Sequence, residues 1–227
     1  MRIEFLNVWS GETGRVLRDY LLEESRRVEV FCFQKVDKKF PAMAEKVLAN
    51  YGVFTGYKFI NENDFFPQAT YVRNGIAVTN ARTILENIPD VGLGLVCQLG
   101  EGRGMISLAN IHGISRPGNK LDTEGRIRQS EAIIEHYANA DRAVIIGGDF
   151  NLEKEIQAVR MFAEAGYENL IEKHGVRTTR NRLIWERYPK NRQYFSDYVF
   201  VRGIKVKYFE VLDNEVSDHL PMILEVD

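Results

Sequence analysis

Apolar and polar residues alternate over Arg2-Ile3-Glu4-Phe5-Leu6-Asn7-Val8, which predicts a strand ending near Asn7. The spacing then changes. Val16, Leu17, Tyr20 and Leu21 recur at helical intervals with charges between them, predicting an amphipathic helix over 16–27. A second strand is predicted over 28–33, and a helix over 40–51 that Gly52 stops. From 53 to 99 short β-rich pieces (57–60, 76–79 and 93–99) are separated by Asn, Gly and Pro. That is a meander or hairpin pattern, with Asn74-Gly75 as its best turn. Residues 105–112 predict a strand ending in His112, and the loop 113–121 is long enough to carry function. Asp122 or Thr123 can cap the next helix, expected to reach about residue 138 with Ile127, Ile133, Ile134 and Tyr137 inward. The apolar run Val144-Ile145-Ile146 predicts a buried strand, followed by Gly147-Gly148 and Asp149-Phe150-Asn151. A helix over 153–165 ended by Gly166, a polar basic loop over 178–182, and strands over 195–201, 204–212 and 220–226 complete the pattern. The loose symmetry of two halves, each with strands and helices, predicts one layered α/β domain spanning 1–227.

The polar residues at these strand ends are the candidate chemistry. In extended chain, residues two apart point the same way, so Asp149 and Asn151 are expected to face a common spot. Ligands sit at that end of the strands in layered α/β proteins. Taken singly, each also suits a turn, as does Asn7 ahead of Trp9-Ser10-Gly11. As a set, Asn7, His112, Asp149, Asn151, Asp197, Asp218 and His219 all end or just precede predicted strands. Carboxylates, amides and histidines in one place suit a hard, oxygen-seeking cation and chemistry on phosphate. Structural zinc is excluded by the lack of Cys/His pairs at ligand spacing, and no Gly-rich phosphate loop occurs. His136 and His174 fall on or beside helices without partner motifs and are expected at the surface.

Composition narrows the function classes without choosing one. Of 227 residues, 44% are hydrophobic and 27% charged, an ordinary soluble composition. The net charge of -2 gives no global basic field toward nucleic acid or membrane. Cys32 and Cys97 each lie in an apolar run, which predicts buried free thiols and a reducing compartment. No signal-peptide layout and no membrane-length apolar run is present, so a cytoplasmic protein is expected.

Gly148-Asp149-Phe150-Asn151, followed downstream by Asp197-Tyr198 and Ser217-Asp218-His219, resembles the endonuclease/exonuclease/phosphatase superfamily. That superfamily includes deoxyribonuclease I, exonuclease III-type repair enzymes and neutral sphingomyelinases. The order agrees: an Asn after the first strand, a Phe-Gln-x-Val piece after the second, and Asn-Ile-His ahead of Gly-Asp-Phe-Asn. The resemblance covers essentially the whole chain and is specific as a set. It implies a four-layer α/β/β/α sandwich, deoxyribonuclease I-like, and metal-dependent hydrolysis of a phosphoester with Mg²⁺ or Mn²⁺. It implies His219 as general base or phosphate stabiliser, with Asp197 orienting its ring. Asp149 and Asn151 would position nucleophile and phosphoryl oxygens, Asn7 and Asp218 would help hold the cation, and His112 would lie near the leaving group. A tyrosine tends to occupy that last place in the repair-type branch, so His112 argues against abasic-site repair.

One position departs from the pattern. After the second strand the family has Gln-Glu, and that Glu is its principal metal ligand; here the residues are Gln34-Lys35. The change swings the local charge by two units, and at ~4 Å and an effective dielectric of ~20 each unit interaction is several kcal/mol. Metal binding is therefore expected to be weakened or absent. Three readings follow: a phosphodiesterase or nuclease-like hydrolase, a small-molecule or lipid phosphoesterase, and a non-catalytic binding module. Lys35 itself could act as electrophile in the metal's place. Thr179, Arg180 and Asn181 are candidate phosphate contacts. The expected partner is the phosphoester substrate, nucleic acid among the candidates, and the chain is expected to act as a monomer. Substrate choice is expected to reside in the loops 59–71, 113–121 and 177–191.

Overall fold

The computed structural model describes residues 1–61 and 64–227, with the side chain of Arg103 left aside. Glu62 and Asn63, inside the expected variable loop 59–71, lie outside the described residues. The first half contains β1 (Arg2–Asn7), α1 (Arg15–Glu24), β2 (Val30–Gln34), α2 (Phe40–Val47) and β3 (Tyr51–Gly56). Then come the small pair β4 (Phe59–Asn61) and β5 (Asp64–Phe65), and β6 (Gln68–Arg73), β7 (Val78–Ile84) and β8 (Leu93–Leu99). The second half contains β9 (Ile106–His112), α3 (Glu124–His136), β10 (Ala143–Asp149), α4 (Gln157–Glu164), β11 (Glu168–Asn169) and α5 (Leu170–Lys173). It finishes with α6 (Arg182–Arg187), β12 (Asp197–Arg202), β13 (Val206–Val211) and β14 (Met222–Val226).

Two six-stranded sheets result, ordered β13-β14-β1-β2-β6-β3 and β11-β12-β10-β9-β8-β7. They face each other with helices outside, the expected four-layer sandwich. Strand alternation explains the layering. In β1 and β2, Phe5 and Cys32 belong to the large core cluster, while Leu6, Phe31 and Phe33 join α1 and α2 through Leu17, Leu21, Phe40 and Ala44. On the other outer face, Phe162 of α4 stacks on Phe200 of β12 with centroids 4.1 Å apart. The sheets approach closely where Gly147 lies, since a Cβ there would come within 2.6 Å of the Phe5 ring. A polar bridge also crosses this seam: Gln34 Nε2 donates to Asn110 Oδ1 at 2.6 Å, and Asn110 Nδ2 donates to Phe33 O at 3.2 Å and Ala69 O at 3.1 Å.

Several boundaries differ from the sequence reading. The helix expected over 40–51 stops at Val47, and Gly52 lies inside β3 instead of ending a helix. The helix over 16–27 stops at Glu24, with Val16 exposed and Leu17 and Leu21 buried. The helix over 153–165 begins only at Gln157. Asn74-Gly75 does turn, with Gly75 at φ +99°, but it joins β6 of one sheet to β7 of the other and closes no hairpin. Thr123 is the cap of α3, its hydroxyl accepting from Arg126 N at 3.2 Å. Asp122 instead accepts from Gln157 N and Ala158 N at the start of α4. Thr123→Ala is expected to lower stability by about 1 kcal/mol, read from the urea midpoint.

Candidate active site

Strand register gathers the site. In the parallel pair β1–β2, Asn7 lies level with Gln34, which places Lys35 just past the strand end. In the second sheet Asp149 pairs with His112 of β9 on one side and Asp197 of β12 on the other. The sheets face each other, so Asn7 reaches across and donates from Nδ2 to Asp149 Oδ2 at 2.8 Å. His219 arrives from the segment before β14, held by a backbone bridge to Arg180. Its Nδ1 lies 2.9 Å from both oxygens of Asp197, and its Nε2 lies 3.7 Å from Asp149 Oδ2. Asn151 sits at φ +55°, so strand alternation does not aim it. A tight turn does: its N–H donates to Asp149 Oδ1 at 3.0 Å and its Nδ2 to Gly113 O at 2.9 Å.

Burial sets the proton affinities. Burial alone would raise the Asp149 carboxyl, but His219, Lys120, His112 and Arg180 hold it well below the usual carboxylate range. Burial, followed by the Arg180 charge, pushes the His219 ring well below its ordinary value, so it is neutral at pH 7. The Asp197 carboxyl is pushed up by burial and then by Asp149. A buried anion that is costly gains when a proton arrives on the ring beside it, so this pair favours proton uptake at Nε2 during a reaction. His112 is fully buried against Phe66, with ring centroids 5.0 Å apart, and its Nε2 is 3.9 Å from Asp149 Oδ2. It lies behind the cleft and does not line it. Burial pushes its pKa down to about 4 from 6.5. The unfolded chain protonates this ring below about pH 6.5 and the fold resists until about 4. Stability is therefore intact above 6.5 and lost as pH falls through 4, by about 3 kcal/mol from this group. Urea midpoints at about pH 7.5 and about pH 4.5 are expected to differ less in His112→Gln than in the parent chain.

Lys120 and Ser196 join the site without belonging to any of the sequence motifs. Lys120 is 4% exposed, and its Nζ donates to Ser196 Oγ at 2.5 Å, which in turn donates to Asp149 Oδ1 at 2.5 Å. Burial, with Arg180 adding to it, pushes the Lys120 ammonium down to about 7. The signals were present: Lys120 stands in the loop marked as functional, and Ser196 adjoins Asp197. Arg126 shapes that loop from beneath, donating to Leu121 O and Pro117 O at 2.6 Å each. Of the three expected phosphate contacts only Arg180 reaches the cleft. Thr179 is buried and accepts from Ser196 N and Asp197 N, while Asn181 caps α6 and donates to Asn214 O and Ser217 O. His136, beside Tyr137, and His174, beside Phe209, are both exposed, as expected, and neither lines this cleft.

These residues open onto a cleft of about 660 Å³. Lys35, Arg116, Lys120, Arg180 and Arg187 line it, against the two carboxylates Asp149 and Asp218. The family pattern implies a divalent ion among these donors. Ligand atoms of Asp149, Asp197 and His219 do lie within 4.8 Å of one another. Both Asp197 oxygens, however, face His219 Nδ1. The two expected ligands are engaged elsewhere: Asn7 offers its N–H₂ group to Asp149 while its oxygen accepts from Trp9 N, and Asp218 Oδ2 is paired with Arg180 at 3.1 Å. Glu29 is no substitute, because it accepts from Arg2 N at the far end of the sheet. Mg²⁺ and Mn²⁺ require a shell of oxygens, and these residues do not fit one.

Cys32 and Cys97 are buried free thiols, as expected. No helix among the described residues is long and apolar enough to cross a membrane. A comparison with curated proteins gave no match. Solved structures of the same fold include the catalytic domain of human Nocturnin with bound sulfate, at 15% identity and a TM-score of 0.70, covering 100% of this chain and 94% of that one. The mannosyl-6-phosphatase of Bacteroides thetaiotaomicron aligns at 14% identity and a TM-score of 0.71, covering 100% of this chain and 99% of the other. An endonuclease/exonuclease/phosphatase from Bacteroides vulgatus reaches a TM-score of 0.76 at 14% identity, covering 100% and 98%. The family model described as Endonuclease/Exonuclease/phosphatase family matches residues 5–219, and the chain therefore belongs to that family.

Proposed function

We propose that this chain, acting as one domain, hydrolyses phosphoester bonds, with His219 as the base. One observation carries the reading: a neutral imidazole, held by Asp197 on Nδ1, turns Nε2 toward Asp149 beside a cation-lined cleft. Water between His219 and the phosphorus would give its proton to Nε2 as it attacks, the ester P–O bond would break on the opposite side, and the departing oxygen would take a proton from solvent. Asp149, fixed by Asn7, Ser196 and the Asn151 N–H, would orient that water, and Asn151 would face the phosphoryl group from the cleft wall. Asp197 would stabilise the imidazolium that forms. His112 would support Asp149 from behind.

A phosphodiesterase or nuclease-like activity is the first form of this proposal. A small phosphoester substrate has one observation in its favour. The loops flanking the cleft are tied together, Asn191 Nδ2 donating to Gly118 O at 3.2 Å and Gln193 Nε2 to the same oxygen. That narrows the opening for a duplex. The test is hydrolysis of an aryl phosphodiester, an aryl phosphomonoester and plasmid DNA, each with Mg²⁺, with Mn²⁺ and with EDTA. Turnover of any one supports the proposal, and silence on all three supports the binding-module reading instead. A polymer substrate would show a steep fall of binding with salt, and a small ester a shallow one.

A further inference from the structure

We propose that Lys35, Lys120 and Arg180 form a metal-independent oxyanion site, holding the substrate phosphate in place of a divalent cation. The inference rests on the hydrolase reading above and adds what neutralises the phosphate.

All three side chains line one cleft with Asp149 and His219. Lys120 and Arg180 are at least nine-tenths buried. Lys120 spends one N–H on Ser196, and Arg180 pairs with Asp218. The Lys35 ammonium makes no hydrogen bond or ion pair among the described residues. Its backbone is held at φ +55°, a left-handed conformation that a side chain with a Cβ adopts at a cost. Neighbours pin it there: Lys35 O accepts from Ser10 N at 3.0 Å, and Val36 N donates to Pro67 O at 3.3 Å. The chain thus accepts an unfavourable backbone at the residue that points an unpaired cation into the cleft.

The electrostatics favour an anion there. Burial first, then Arg180 and last Lys35 oppose the charge on Lys120, while Asp149 and Asp197 favour it; Lys35 also adds, after burial, to what holds down His112 and His219. Like charges converging on a desolvated space repel one another. An oxyanion among them turns those repulsions into attractions, and a divalent cation adds to them. Preorganised cations aimed at phosphoryl oxygens perform the electrostatic role that a metal clamp performs elsewhere. Lysine serves here as a point charge, and arginine as a planar fork.

The test is calorimetric titration with inorganic phosphate in EDTA at low salt, paired with electron paramagnetic resonance of Mn²⁺ binding. The parent chain is expected to bind phosphate in EDTA and to leave Mn²⁺ free. Lys35→Met is expected to weaken phosphate binding at least tenfold. Lys35→Glu is expected to weaken it at least a hundredfold and to bring Mn²⁺ onto the protein, as a carboxylate joins Asp149. Lys35 is partly buried at the cleft and makes no hydrogen bond or ion pair to lose among the described residues, so both variants are expected to fold, checked by circular dichroism. Should the Glu variant fail to fold, the Met variant alone decides. Phosphate binding by the parent chain only after Mg²⁺ is added, or a parent chain that itself takes up Mn²⁺, overturns the inference. So does unchanged phosphate affinity in Lys35→Met. Phosphate bound in EDTA without hydrolysis of any ester would overturn the hydrolase reading and leave the anion site standing.

Discussion

His219→Ala is expected to lower kcat for phosphoester hydrolysis by roughly 10²–10⁴-fold, the range for loss of a positioned general base. Loss of the ring has a second effect. The Asp197 backbone keeps its N–H bond to Thr179, but its carboxylate loses the imidazole partner while still buried. An isolated buried carboxylate is costly, so the alanine chain is also expected to be less stable. His219→Gln separates the two effects. A carboxamide can still donate to Asp197 yet cannot take a proton at neutral pH. It should therefore recover most of the stability and none of the rate. A glutamine variant with near-parental kcat would remove His219 from the chemistry and leave it a structural role. Circular dichroism and urea midpoints taken beside the kinetics keep folding and chemistry apart.

The second large effect is on folding. Gly148→Ala is expected to cost about 3 kcal/mol or more, because two penalties coincide at this residue. Gly148 sits at φ +131°, where an L side chain is strained. A Cβ there would also meet Ile111 O at 2.2 Å and Gln34 Nε2 at 3.0 Å. Ile111 O is backbone of the neighbouring strand and has little freedom to yield. Gln34 is one end of the bridge that crosses the seam to Asn110, so relief on that side disturbs the contact between the sheets. Gly166→Ala is the control: Gly166 sits at φ +81° in open space. It should show the backbone penalty alone, about 1 kcal/mol. Similar urea midpoints for the two variants would mean that β10 relaxes around the added methyl.

The contrast between these two glycines shows what the residues alone could and could not reveal. Gly147-Gly148 was legible as a place of tight turning or close approach, but not that one glycine admits the Phe5 ring and the other the Ile111 carbonyl. Strand existence was legible wherever alternation was strong: the span 93–99 is β8 to the residue, and 105–112 is one residue longer than β9. Residues 68–73 were missed. Their alternation is weak because Gln68 and Thr70 are buried polar groups at the seam, so β6, which joins β2 to β3, reads as loop. The Asn74-Gly75 turn was found but its destination was not, since turn chemistry is local and the choice of sheet is not. At the site, the motif residues came together because each ends or borders a strand. Lys120 and Ser196 stayed hidden because a lysine in a Gly-Asn loop and a serine before an aspartate are individually ordinary. Only their shared contact to Asp149 gives them meaning.

Strand β1 lies between β2, which follows it closely in the chain, and β14, more than two hundred residues later. During synthesis, β1 and β2 therefore emerge early and stand with one edge of β1 bare until Met222–Val226 leaves the ribosome. The segment that closes that edge also carries Asp218 and His219 just ahead of it. Closing the sheet and delivering the imidazole are thus nearly one event in time. On the hydrolase reading, a translation product cut short before residue 218 lacks His219 while its edge is open, and it is expected to aggregate and to show no phosphoester hydrolysis.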